Sequence, residues 1–309
     1  MRKMKKIYIS IIALVGIWLA TNSCSDYLNA DRFFQDRITF EKVFTDKDYT
    51  ERWLADTYFH LTKYNQDIAS KGFSLAMFGT DDMYYTDWGG SAGEQYKKLK
   101  NGQLQDGAFS GIIGTSWMDC YKGINKATIF LSYIDMNTKI KPEEIVDYKG
   151  QARFLRAYFY WILLRRFGPV PLLGDVILDQ NVGYDEMAIP RSPYDECVEY
   201  IASEMVLAAK DLPMKRDLRN IARPTQGAAL ATRAKVLLYA ASPLMNGDQS
   251  EYANSLIDHE GNRLLSGEYS EEKWAKAAAA ARDVMEMNQY NLYVAPKRLK
   301  GDLDYPATV

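Results

Sequence analysis

Asp81, Asp82 and Asp87 stand among Tyr84, Tyr85 and Trp88 in the stretch TDDMYYTDWGGSAG, residues 80–93, which has neither a helical nor a strand period. Carboxylates accept hydrogens from hydroxyl groups, and Tyr and Trp combine a rigid apolar face with a polar tip. Together they suit a sugar, whose C–H faces stack on rings while its hydroxyls find acceptors. Trp88 is the first candidate for a stacking platform, Tyr84 and Tyr85 are second, and Asp81, Asp82 and Asp87 are the candidate acceptors. The other use for these rings is packing, either within the loop region or against a further part of a longer chain.

Other chemistries fit the residues less well. Adjacent carboxylates rarely face one substrate, and glycosidase acids stand roughly 5 to 9.5 Å apart, usually on separate segments, so no catalytic residue is assigned. Calcium takes about six to eight oxygens, and no loop supplies such a set. With His60 and His259 the only histidines, a histidine-rich metal site is excluded, and no Gly-x-Ser-x-Gly elbow surrounds any serine. Gly89, Gly90 and Gly93 match no phosphate-loop spacing. Arg153 and Arg156, three apart on one helical side, either bind an anion or pair with acids of neighbouring helices. No metal and no cofactor is implied.

The elements that must position these residues read as helices with clear ends. In KPEEIVDYKGQARFLRAYFYWILLRRFGPVPLL, Pro142 suits a first turn, Glu143 and Glu144 complement the helix dipole, and Gly168, Pro169 and Pro171 stop the helix. Ala157 to Leu164 are all apolar or aromatic, which predicts a central helix with neighbours on every side. SPYDECVEYIASEMVLAAKDLP offers Ser192 as N-cap, Pro193 in the first turn, Asp195 completing a capping box, and Leu212-Pro213 as its end. A further helix begins at Thr225 and stops before Pro243, with Ala228, Ala229, Ala231 and Ala234 permitting close approach. Another starts at Ser270, and an earlier one runs from about Asp46 to His60 with Tyr49, Trp53 and Phe59 among its apolar residues. Alanine-rich helices carrying one large aromatic, such as Tyr239 or Trp274, stack as tetratricopeptide-like pairs do. The expected fold is mainly α, a helical-repeat scaffold with an irregular, glycine-rich ligand region between the early helix and residue 115.

Composition bounds the setting. The 309 residues are 47% hydrophobic and 13% aromatic, enough for a large core, and length alone suggests about two domains. Arg2, Lys3, Lys5 and Lys6 precede a mostly apolar run, Ile7 to Ala20, shorter than the roughly 20 residues of a membrane-spanning helix, so it reads as a secretory signal. Cys24 in LATNSCSDYLN sits where a bacterial lipoprotein is cleaved and acylated, although Thr21 stands where leucine is usual. Several acyl chains there would anchor the protein, each buried CH₂ contributing about 0.8 kcal/mol. Removing residues 1–23 takes away four basic groups and no acid, leaving 34 basic against 40 acidic and a net charge near −6. No basic stripe remains, so nucleic acid is excluded as a partner. Cys120 and Cys197 are then too few for a disulfide scaffold; they either pair once or stay buried thiols.

Taken in order, the lipoprotein start, TFEKVFTDKDYTERWLADTYFHL, WMDCYKGINKATIFLSYID, GQARFLRAYFYWILLRRFGPVPLL, RPTQGAALATRAKVLLYAASPLMNG and WAKAAAAARDVMEMNQYNLY resemble the SusD/RagB family of Bacteroidetes. The most specific part is Arg153 to Tyr158 with Phe167 to Pro171 behind it. The resemblance implies a lipid-anchored protein on the outer surface of the outer membrane that binds oligo- or polysaccharides or other nutrients and lids a SusC-type TonB-dependent transporter. It also implies helical pairs packed on that transporter and an irregular region carrying the ligand site. Family members are usually much longer, so the chain is expected to comprise a signal at 1–23, a tether at 24–40 and a helical domain at 41–309 lacking its C-terminal part. A surface glycoside hydrolase and a purely structural adaptor of the transporter complex are the competing readings.

Overall fold

The computed structural model describes residues 39–62, 115–177, 183 and 188–292. The chain divides into two compact units, Met1–Val43 and Phe44–Val309. Thr39 Oγ1 accepts from the Lys42 amide at 3.2 Å and so opens a short helix, α1 (Phe40–Thr45), whose last two residues belong to the second unit. The second holds α2 (Lys47–Thr62), α3 (Thr115–Tyr133) with a 3₁₀ turn at Ile134–Met136, and α4 (Pro142–Phe167). It continues with α5 (Tyr194–Asp211), α6 (Gln226–Ala241), the short α7 (Glu251–Ser255) and α8 (Glu271–Glu286). Among the described residues the only β pairing is an isolated bridge between Ile257 and Arg263. None of the described helices is long and apolar enough to cross a membrane.

Each long helix runs antiparallel to the next, as the pairing of side chains shows. Trp53 Nε1 donates to the Lys126 carbonyl at 3.0 Å, while His60, further along α2, faces Asp119, further back on α3. Trp117 packs edge-on against Phe167, and Arg156 reaches back to Thr128, so α3 and α4 run in opposite senses. Arg153 meets Glu204 while Tyr160 meets Tyr200, which does the same for α4 and α5. Arg233 pairs with Asp283 while Asn246 bonds Ser270, setting α6 against α8. The result is an up-and-down stack in which α4 lies between α3 and α5.

The sequence of α4 explains that central place. Pro142 occupies the first helical position, and Glu144 returns its carboxylate to the Lys141 amide at 3.3 Å. Gly168 ends the helix at φ 67°, ψ −141°, a conformation that side chains strongly disfavour, with its amide donating to the Leu164 carbonyl. Phe159, Tyr160, Trp161, Ile162, Leu163 and Leu164 are consecutive and all buried, which requires neighbours all round. Gly123 of α3 faces the Phe159 ring so closely that a Cβ there would collide with it.

Several expectations need correcting. Ser192 is not the cap of α5: Pro193 takes that place with extended backbone, and no side chain caps the helix. The Ser192 amide instead donates to the Val170 carbonyl, and Asp195 accepts from Lys273 Nζ at 2.6 Å and closes no capping box. Thr225 caps α6 as expected, its hydroxyl accepting from the Ala228 amide. Of the four alanines expected to bring helices together there, Ala229 is fully buried, whereas Ala231 is exposed; Ala240 and Ala241 extend the buried stripe. Phe59 points largely to solvent. Cys120 and Cys197 are both free and buried.

Candidate functional site

Asp81, Asp82, Tyr84, Tyr85, Asp87, Trp88 and the lipidation candidate Cys24 all lie outside the described residues. Arg153 and Arg156 lie inside them, and their anion is a side chain of the protein. Arg153 Nη1 and Arg156 Nη2 donate to the two oxygens of Glu204 at 3.1 and 2.7 Å, and Arg156 Nη1 reaches Asp175 at 2.6 Å. This cluster locks α4 to α5.

A cleft of about 390 Å³ opens between α2, α4 and the connection that joins α5 to α6. On α2, Glu51, Leu54, Ala55, Tyr58 and Leu61 line it, a spacing of three and four that places them on one helical face. Tyr148 of α4 and Ala222 and Arg223 of the connection form the opposite side. The connection is held there by Arg216. Its Nη1 and Nη2 each donate to Asp147 at 2.7 Å, and its Nε and Nη2 donate to the Pro224 carbonyl at 3.0 and 2.8 Å.

Behind the cleft sits Gln151, fully buried on α4. Its Nε2 donates to Asp147 at 2.9 Å; its Oε1 accepts from the Tyr58 hydroxyl at 2.9 Å and from Arg223 Nη1 at 3.3 Å. Tyr148 donates its hydroxyl to Glu51 at 2.7 Å. Burial pushes both phenols well above their ordinary range, helped at Tyr148 by the Glu51 bond and opposed at Tyr58 by Arg223 and Arg216. Both therefore stay protonated donors at neutral pH, which pins the rings and leaves them as cleft walls. The cleft falls in the roughly 300–1,000 Å³ range of small-molecule sites.

A second cleft, about 460 Å³, lies beside α5, α6 and the start of α8. Both of its lysines are engaged by acids, Lys273 by Asp195 at 2.6 Å and Lys276 by Glu272 at 3.0 Å. Among the described residues no group of three or more His, Cys, Asp or Glu is placed to hold a metal ion.

Residues 39–238 match the model of a SusD-like family described as "Starch-binding associating with outer membrane". The chain belongs to the SusD-like family. A curated SusD-like protein, P25 of Formosa agariphila, is 23% identical over 124 residues, which cover 40% of this chain and 23% of that protein. A SusD homologue from Bacteroides thetaiotaomicron superposes with a TM-score of 0.60 at 21% identity, over 84% of this chain and 44% of the other. Surface glycan-binding protein A from Bacteroides uniformis gives a TM-score of 0.53 at 19% identity, over 80% and 48%. This SusD-like chain thus spans less than half the length of these relatives, and at such identities the superpositions establish a shared fold.

The sequence reading missed the tyrosine cleft of this SusD-like domain. Tyr58 and Tyr148 stand on separate helices and Arg223 on the α5–α6 connection, and no local motif joins them. The one available signal was the α2 face running from Glu51 to Leu61, where a tyrosine and a glutamate share a stripe with leucines.

Proposed function

We propose that this protein is a non-catalytic glycan-binding lipoprotein, anchored through Cys24 on the outer surface of the outer membrane, that passes oligo- or polysaccharides to a SusC-type TonB-dependent transporter. The observation that carries this reading is the family match across residues 39–238, whose description joins starch binding to outer-membrane association. The name of the Bacteroides uniformis relative, a surface glycan-binding protein, supports it further. Trp88 is the stacking platform in this reading, flanked by Tyr84 and Tyr85, with Asp81, Asp82 and Asp87 accepting sugar hydroxyls.

The test is a titration of the full chain, purified in mild detergent, with soluble polysaccharides and oligosaccharides, following tryptophan fluorescence. Saturable binding that Trp88→Ala removes is the expected result, with no new reducing ends in the bound glycan. Chain shortening would make the protein a hydrolase, and a folded chain that binds no glycan would overturn the reading.

A further inference from the structure

We infer that the tyrosine cleft is a second binding site, selective for an acidic sugar residue: its pyranose ring lies against Tyr58 and Tyr148, and its carboxylate is held by Arg223. The inference rests on the glycan-binding reading for the sugar body of the ligand. It goes beyond that reading in naming the charge and a separate place.

Arg223 carries the argument. It is half-buried in a cleft wall, and its side chain's bond to the described residues is the 3.3 Å contact from Nη1 to Gln151 Oε1, a neutral acceptor. The acid that would otherwise neutralise it, Asp147, is taken by both Nη atoms of Arg216 and by Gln151. Glu51, the cleft's own carboxylate, accepts from Tyr148 and lies 3.7 Å from Lys47. Among the described residues Arg223 has no acidic partner, so its Nε and Nη2 edge is available. That edge is a planar pair of donors matched to a carboxylate.

The remaining walls define the body of the ligand. Leu54, Ala55, Leu61 and Ala222 are apolar, the Tyr58 hydroxyl is turned back to Gln151, and the Tyr148 hydroxyl is engaged by Glu51. Ring faces and methyl groups take the C–H side of a sugar, and Glu51 remains an acceptor for its hydroxyls. A simple fatty acid would leave Glu51 buried under an alkyl chain, and a phosphate would gain nothing from the rings. A hexuronate uses all three parts of the cleft.

Calorimetric titration of the full chain with oligogalacturonate, oligomannuronate and oligoglucuronate, each beside its methyl ester, tests this. At least one uronate should bind, and its ester should bind roughly tenfold or more weakly, because charge-assisted hydrogen bonds are lost. Arg223→Gln should weaken the acid by a similar factor and leave the ester unchanged, and Arg223→Lys should fall between. Equal affinity for acid and ester, or for wild type and Arg223→Gln, overturns the inference. If neutral glycans bind and no uronate does, the cleft assignment fails while the glycan-binding function stands. If a folded chain binds neither class, both fail. The ester comparison uses unaltered protein, so it decides the matter even if Arg223→Gln is poorly folded.

Discussion

Arg156 of α4 donates to Glu204 of α5 at 2.7 Å, with side chains only 1% and 8% exposed. The same carboxylate takes Arg153, and Arg156 also reaches Asp175, whose side chain is 85% exposed. A guanidinium buried this deeply is tolerated because acids surround it. Taking a partner away is therefore worse than taking away the pair.

Glu204→Ala should destabilise the fold by about 3 kcal/mol or more, since it strands a buried charge. The double variant Arg156→Met/Glu204→Met should lose clearly less than the sum of the single variants. A double-mutant cycle by urea unfolding checks this. Additive losses would mean that the exposed Asp175 already satisfies Arg156.

Gly123 and Gly168 should both resist alanine, for different physical reasons. At Gly123 the added methyl meets the Phe159 ring, so Gly123→Ala should cost about 1–3 kcal/mol through overpacking. Phe159→Leu should relieve part of that cost. At Gly168 nothing lies within 4 Å of a new Cβ, and the cost of about 1–3 kcal/mol comes from φ 67°, ψ −141° alone. No change in a neighbour should rescue it, and denaturant midpoints of the paired variants distinguish the two cases.

Burial pushes the Cys120 thiol up to about 12 and the Cys197 thiol up to about 11, from an ordinary 9.0. The folded protein holds these protons more tightly than the unfolded chain does. Their contribution to stability is thus full below pH 9 and is lost as pH rises through the folded values. The urea midpoint should drop as pH rises from about 9 to about 11, and the Cys120→Ala/Cys197→Ala variant should drop less. Tyr58, Tyr121, Tyr148, Tyr160, Tyr194 and Tyr200, all shifted up by the same desolvation, contribute to the slope that remains. A midpoint insensitive to alkali would contradict the burial of these groups.

Arg216 fastens the α5–α6 connection to α4 through Asp147, and its bonds to the Pro224 carbonyl tie the two ends of the connection together. Arg216→Met should free that connection while leaving the helices folded. Limited trypsin digestion should then cut after Arg219 several times faster, with far-ultraviolet circular dichroism unchanged. Cleavage at the wild-type rate would show that the connection is held by other contacts.

Much of the scaffold was legible because helix ends and all-round hydrophobicity are local properties. Pro142, Gly168 and Thr225 act where their chemistry says they should. Ser192 misled because capping competes with tertiary bonding: its backbone is tied to Val170, and the chain enters the helix one residue later. The partner of Arg153 and Arg156 was foreseeable as an acid on another helix, but not as Glu204, because pairing across 48 residues depends on how α4 and α5 are rotated. The tyrosine cleft was hidden for the same reason. Tyr58 and Gln151 are 93 residues apart, and only the side-by-side packing of α2 and α4, which run parallel, brings them to one wall.

The encirclement of α4 also limits how the gene can change. One residue inserted between Gln151 and Trp161 would turn every later side chain by about 100° about the helix axis, sending Trp161 away from Tyr239 and Tyr160 away from Tyr200. With buried positions on every side, no alternative register fits. In α8 the fully or nearly buried positions are Ala277 and Ala280, so a shifted frame there displaces little more than two methyl groups. Insertions and deletions should therefore be purged from the first of these helices and tolerated in the second, and divergence in length among descendants of this sequence should accumulate at the outer edge of the stack.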